Sequence, residues 1–211
     1  MDDLNFKNDL FKDQNTVSKI KSKLPYLFQL AEQENSRNGK LGMEIGSARE
    51  RILIAMLMSK YGKDAVDIDL PITYKEVDVL VNGLPISIKT ITSSTLNGVK
   101  LIWTVDAKKA IEFVNNYKPE CGIMLTQINW GSTGYLYYFT TKSQAEVLSR
   151  LGKDKYFKLP KAGTNPRGVE ISKEALNLLV SREDTGTVII PFERQDIEYN
   201  QYEKWLELWE S

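Results

Sequence analysis

The stretch VDVLVNGLPISIKT, residues 77–90, carries Asp78, Ser87 and Lys89 among its polar positions, with Glu76 just upstream. Asn82-Gly83 joins two alternating apolar runs, and this dipeptide favours a type I′ turn because both central residues need positive φ. With that turn Val81 faces Leu84, Val79 faces Ile86 and Val77 faces Ile88. The other face then sets Asp78 against Ser87 and Glu76 against Lys89, with opposed Cβ atoms about 5 Å apart. Pro85 beside the turn can shift the register, but only an odd shift would separate these four residues. Two carboxylates, a hydroxyl and an ammonium gathered on one face can bind a metal, orient water and hold a phosphate. They can equally be an exposed hairpin with one cross-strand Glu–Lys pair, worth about a few tenths of a kcal/mol.

Composition narrows the chemistry. The 211 residues include no histidine and one cysteine, Cys121. Serine–histidine and cysteine–histidine catalysis, haem ligation by histidine and imidazole zinc sites are thereby excluded. Hydrolysis must rest on carboxylates and lysine, with or without an oxygen-loving metal such as Mg²⁺. Cys121, followed by Gly122, Ile123 and Met124, reads as a small core residue. The length suits one domain, 1–211, with a core of real size. No apolar run approaches the roughly 20 residues of a membrane span, and the polar N-terminus MDDLNFKNDLFKDQN is not a secretory signal. A cytoplasmic protein with no membrane partner and no nucleotide cofactor is expected.

The 28 basic and 28 acidic residues balance, but they are unevenly placed. Between Lys142 and Lys173 eight basic residues oppose three acidic ones, a net of +5. From Glu183 onward eight acidic residues oppose only Arg194 and Lys204, a net of −6. The basic segment is either a solvated face or a nucleic-acid footprint.

These residues need a scaffold. Residues 16–34 read as a helix in two pieces, with Pro25 starting a new turn. GSARERILIAMLMSKYG reads as a helix capped by Ser47 and stopped at Gly62, apolar nearly all round as if packed on both sides. Strands are expected at the hairpin and in GVKLIWTVD, GIMLTQINW and GYLYYFT, with a helix in AKKAIEFVNNY. KSQAEVLSRLG and SKEALNLLVS, the latter capped by Ser172, read as helices around the basic loop KYFKLPKAGTNPRG. A short amphipathic helix with Trp205, Leu206 and Trp209 closes the chain. Trp130 and the aromatic residues of 135–139 read as core. The order implies an α/β fold with a mixed central β-sheet flanked by helices.

Asp78 followed across a turn by Ser87-Ile88-Lys89 resembles the PD-(D/E)xK nuclease signature, with Ser87 standing where the second acid is usual. KLGMEIGSARERILIAMLMSKYG, ITYKEVDVLVNGLPISIKTIT, VKLIWTVDA, IMLTQINWG and KLPKAGTNPRGVEISKEAL, taken in order, resemble the ThaI-like type II restriction endonucleases over residues 16–180. The resemblance implies a restriction-endonuclease-like core and Mg²⁺-dependent hydrolysis of double-stranded DNA at a short, GC-rich palindrome. It also implies a homodimer, because a palindromic duplex is matched by a two-fold axis. In these terms residues 1–45 hold N-terminal helices and a DNA-facing loop, 46–140 the catalytic core, 141–182 a basic recognition segment and 183–211 an acidic tail.

By the same resemblance Asp78 is the principal metal ligand, aided by the Ile88 carbonyl, and Lys89 handles the attacking water or the phosphate charge. Ser87 is a poor direct ligand, so a carboxylate from elsewhere is expected: Glu50 first, then Glu44. Glu50 also fits a capping box with Ser47, and both readings stand. Glu76 either binds metal or neutralises Lys89. For DNA contact the candidates are Lys158, Lys161, Thr164, Asn165 and Arg167 in the basic loop, and Arg37 and Lys40 in SRNGKLGME. Met43 in that second loop either wedges between base steps or packs on the following helix. Two other readings remain: a repair or junction-resolving nuclease on the same core, and a non-catalytic DNA-binding module.

Overall fold

The computed structural model describes residues 1–37, 40–41, 44–71, 74, 76–159, 168–198, 200 and 202–210. The side chains of Arg37, Lys40, Leu41 and residues 203–205 lie outside that description. Two helices open the chain, α1 (Asp3–Lys12) and α2 (Gln14–Glu34). The polar N-terminus masks α1 in the sequence. Phe6 and Leu10, one turn apart, are fully buried, and Asp2 caps the helix by accepting from the Asn5 amide. The expected division at Pro25 is absent: α2 passes through a buried Pro25, and the break falls at Asp13, which caps α2 through Asn15 and Thr16. Two-residue strands β1 (Ser36–Arg37) and β2 (Lys40–Leu41) then pair with each other.

Helix α3 (Ile45–Tyr61) starts earlier than expected. Glu44 stands at its cap without a side-chain cap bond, so Ser47 lies inside the first turn. The Ala48 amide reaches the Glu44 carbonyl and sets that start, which removes the capping-box reading of Glu50. Gly62 stops the helix at φ +91°, as expected.

A short 3₁₀ turn (Lys63–Ala65) leads into β3 (Val66–Asp67), β4 (Val79–Val81) and β5 (Leu84–Thr92). Then come β6 (Val99–Ile102), α4 (Ala107–Asn116), β7 (Gly122–Ile128), β8 (Ser132–Phe139) and α5 (Thr141–Leu151). Next are α6 (Lys153–Tyr156), β9 (Phe157–Lys158), β10 (Val169–Ile171), α7 (Lys173–Val180), β11 (Gly186–Phe192) and α8 (Glu203–Glu210). The main sheet has six strands in the order β11-β8-β7-β5-β4-β3, and only the β5–β7 pair is parallel.

Alternation along the central strands splits the core into two layers. Ile86, Ile88, Met124 and Tyr138 face α1, α2 and α3, while Ile123, Leu125, Tyr137 and Phe139 face the other way. That second face is covered by α4, α5, α7 and a small sheet of order β6-β10-β9. Residues 186–192, inside the stretch expected only as an acidic tail, form the edge strand β11 with strictly alternating burial. Trp130, Tyr137, Tyr138 and Phe139 do pack into or against the core, and Cys121 is buried and free. On α8, Leu206 and Trp209 are exposed, the latter by 89%. No described helix is long and apolar enough to cross a membrane.

Candidate active site

The hairpin turn forms as its sequence requires. Asn82 (φ 48°) and Gly83 (φ 78°) take positive φ, Val81 pairs Leu84 and Val79 pairs Ile86. The ladder then ends. β4 reaches only to Val79, and the Asp78 amide bonds the Ile86 carbonyl. From Ser87 onward β5 therefore has no ladder partner on that side among the described residues, while β7 remains paired on the other.

A strand edge left open must satisfy its polar groups by other means. The Asp78 carboxylate does so: Oδ2 accepts from the Ile88 amide at 2.5 Å, the Ser87 hydroxyl at 3.2 Å and the Lys89 ammonium at 3.0 Å. Three donors on one oxygen hold this carboxylate in a single orientation. Because a strand residue points its N–H and C=O toward the same neighbour, the Ile88 carbonyl is turned toward Asp78 too. Ser87 is fully buried and Ile88 nearly so, whereas the Asp78 and Lys89 side chains keep 22% and 20% of their exposure. The pair is open enough to meet a ligand and sheltered enough for its charges to matter.

Glu50 reaches this gap from α3, which packs on β5. Burial raises the pKa of its carboxyl, the nearby Asp78 carboxylate raises it further, and Lys89 and Arg51 oppose the shift. Glu50 thus senses both motif residues, and it lines a cleft of about 300 Å³ with Lys89, Thr90, Lys100 and Trp103. Glu44, by contrast, is exposed at the cap of α3, six residues earlier and about 9 Å along the helix axis.

Glu76 lies on the other flank of Asp78. Burial pushes it up to about 7, with Glu120 and Asp78 adding and Lys89 opposing. It stands near Tyr117, Cys121 and Tyr156, whose own pKa values it helps to raise. Its hydrophobic surroundings were not legible from the hairpin alone.

The proposed DNA contacts are described unevenly. Lys158 on β9 pairs with Glu170 at 2.9 Å, which offsets part of its charge. Arg37 and Lys40 face each other in the β1–β2 pair. Met43, Lys161, Thr164, Asn165 and Arg167 lie outside the described residues. Lys100 and Trp103 in the cleft were not singled out by the sequence, nor was Arg49 beside Glu50; the only prior signal was a lysine and a tryptophan in the strand GVKLIWTVD.

The donor set suits a hard divalent cation. Asp78, Glu50 and the Ile88 carbonyl offer oxygen only, and Mg²⁺ commonly takes one or two carboxylates with water and substrate filling the rest. Among the described residues no three acidic, cysteine or histidine side chains gather into a metal cluster.

Comparison with known proteins agrees with the fold. The family model for restriction endonuclease ThaI matches residues 10–211. A solved structure of a restriction endonuclease in complex with substrate DNA is 50% identical, with a TM-score of 0.89, covering 96% of this chain and 98% of that one. No curated protein matches the chain. With nearly its whole length matched and the same fold in a DNA-bound relative, the chain belongs to the ThaI restriction endonuclease family.

Proposed function

We propose that this restriction enzyme is a type II endonuclease of the PD-(D/E)xK kind, cutting double-stranded DNA at a short palindromic site as a Mg²⁺-dependent homodimer. The observation that carries the reading is the convergence of Asp78, Lys89 and Glu50 at the open edge of β5. Glu50 is the carboxylate that Ser87 lacks. Asp78, Glu50 and the Ile88 carbonyl would hold the cation.

Bound Mg²⁺ supplies charge neutralisation at the phosphate and makes water more acidic. The residues do the rest. Ser87 and the Ile88 amide keep Asp78 in one orientation through Oδ2 and leave its other oxygen for the cation. Lys89, anchored on Asp78, donates to the phosphate or to the incoming water and opposes the negative charge that grows in the transition state. Glu50 is held beside two charges in a partly dry site, where its field acts with little screening. Asp78 and Lys89 must both be present, since each fixes the other. DNA contact by Arg37, Lys40 and the basic segment 158–167 supplies binding and register.

The test is digestion of one sequenced plasmid with purified protein and Mg²⁺. Discrete fragments whose ends map to one palindrome are expected. Intact plasmid, with duplexes still retarded on a gel, would leave a DNA-binding module without activity.

A further inference from the structure

Trp103 directly follows β6 with 65% of its surface exposed, although indoles are on average well buried. It lines the same cleft as Lys89 and Glu50. The Lys100 ammonium sits 4.5 Å from its ring centroid, a cation–π contact. Lys100 faces Glu170 across the β6–β10 ladder, but Glu170 is engaged with Lys158. The cleft wall is therefore a cation resting on an aromatic face, next to the hydrolytic residues.

Its position is also tied to the basic segment. Gly168, at φ +108°, packs so closely that a Cβ there would lie 2.0 Å from the Ile102 carbonyl oxygen and 3.2 Å from the Trp103 Cα. The end of β6 is thus pinned against the residue where the segment 160–167 rejoins the described chain. Trp103 thus stands between the cleft and Gly168.

We propose that Lys100 and Trp103 form a DNA contact site beside the scissile phosphate, Lys100 pairing with the adjacent phosphate and the indole packing on the sugar of that nucleotide. This rests on the nuclease reading. A phosphate anion competes for the Lys100 ammonium better than an aromatic face does, because the charge-assisted hydrogen bond is the stronger interaction. The freed indole face then meets the apolar side of the deoxyribose. The arrangement keeps the cation close to the cleft before DNA arrives.

The experiment uses the full chain and a short fluorescein-labelled duplex carrying the site mapped by plasmid digestion, without divalent cation, so that binding is read apart from cutting. Lys100→Ala is expected to weaken binding about ten-fold and to lower the slope of log affinity against log salt by about one. Trp103→Ala is expected to weaken binding about ten-fold with the slope unchanged. Trp103→Phe, a gentler change, should keep the fold by circular dichroism and remove most of the tryptophan fluorescence quenching that DNA causes. Wild-type affinity, salt slope and quenching in these variants overturns the proposal while leaving the nuclease reading intact. A wild-type chain that does not bind this duplex overturns the proposal alone, whereas a plasmid left intact in the digestion overturns the nuclease reading.

Discussion

Arg49 Nη2 and Glu32 Oε1 meet at 2.5 Å in the interior, one residue before Glu50 on the same helix. Glu32 also accepts from Trp130 Nε1 and Arg194 Nη2, each at 2.8 Å, and Arg49 reaches Thr92 Oγ1 at 2.9 Å. The cluster joins α2, α3, the end of β5, the turn after β7 and the segment after β11. Through Arg49 it ties α3 to these elements, one residue before Glu50. Removing one partner leaves a buried charge, so Glu32→Ala or Arg49→Ala should cost about 3–5 kcal/mol by urea denaturation. A loss below about 1 kcal/mol in both would show that the pair does not organise the helix layer.

Asp78→Ala and Lys89→Ala should each lower cleavage on the order of a thousand-fold while retaining DNA binding. Glu50→Gln keeps the shape and loses the charge, and it should behave alike. Ser87→Ala removes one hydrogen bond to Asp78 and should cost only about ten-fold or less. Single-turnover cleavage of a labelled duplex separates these. Full activity in Glu50→Gln would return the missing carboxylate to Glu76 or Glu44.

Stability should depend on pH through Glu76. Its folded pKa is pushed up from 4.5 to about 7, mainly by burial, so the folded chain binds this proton more tightly than the unfolded chain. The associated stability is complete below about pH 4.5 and is lost as pH rises toward 7. Allowing for its partial exposure, the loss is roughly 2 kcal/mol. In chelator, Glu76→Gln should melt higher than wild type at pH 8 and alike at pH values near 4.5. A constant difference between the two across that range would contradict the assignment to Glu76.

Gly168→Ala should disturb the β6–β10 junction. Positive φ and the 2.0 Å approach to the Ile102 carbonyl both oppose a side chain. A destabilisation of about 2 kcal/mol or more is expected. Normal melting would mean that the two chain segments can move apart without cost.

Much of the site was legible because its rules are short-ranged. Asn82-Gly83 dictated the turn, period-two alternation put Ser87 and Lys89 on one face, and the absence of histidine left carboxylates and lysine as the reagents. Asp106, Thr140 and Ser172 cap helices where the sequence offers a side-chain acceptor, and α4, α5 and α7 follow from them. Local reading failed at Ser47 and Pro25. A plausible cap and a plausible break were both overruled by the way α2 and α3 bury their faces.

The sequence by itself determined the hairpin and its polar face, since turn conformation and strand alternation act over two to four residues. Only the tertiary structure decided that the Glu50 carboxyl lies within the field of Asp78 while Glu44 stays exposed, that β4 ends early enough to leave the Ile88 amide for a carboxylate, and that Trp103 borders the cleft. Those outcomes depend on how a helix layer and a small second sheet pack against the main sheet. Packing is decided by the whole buried surface, and no spacing within one segment records it.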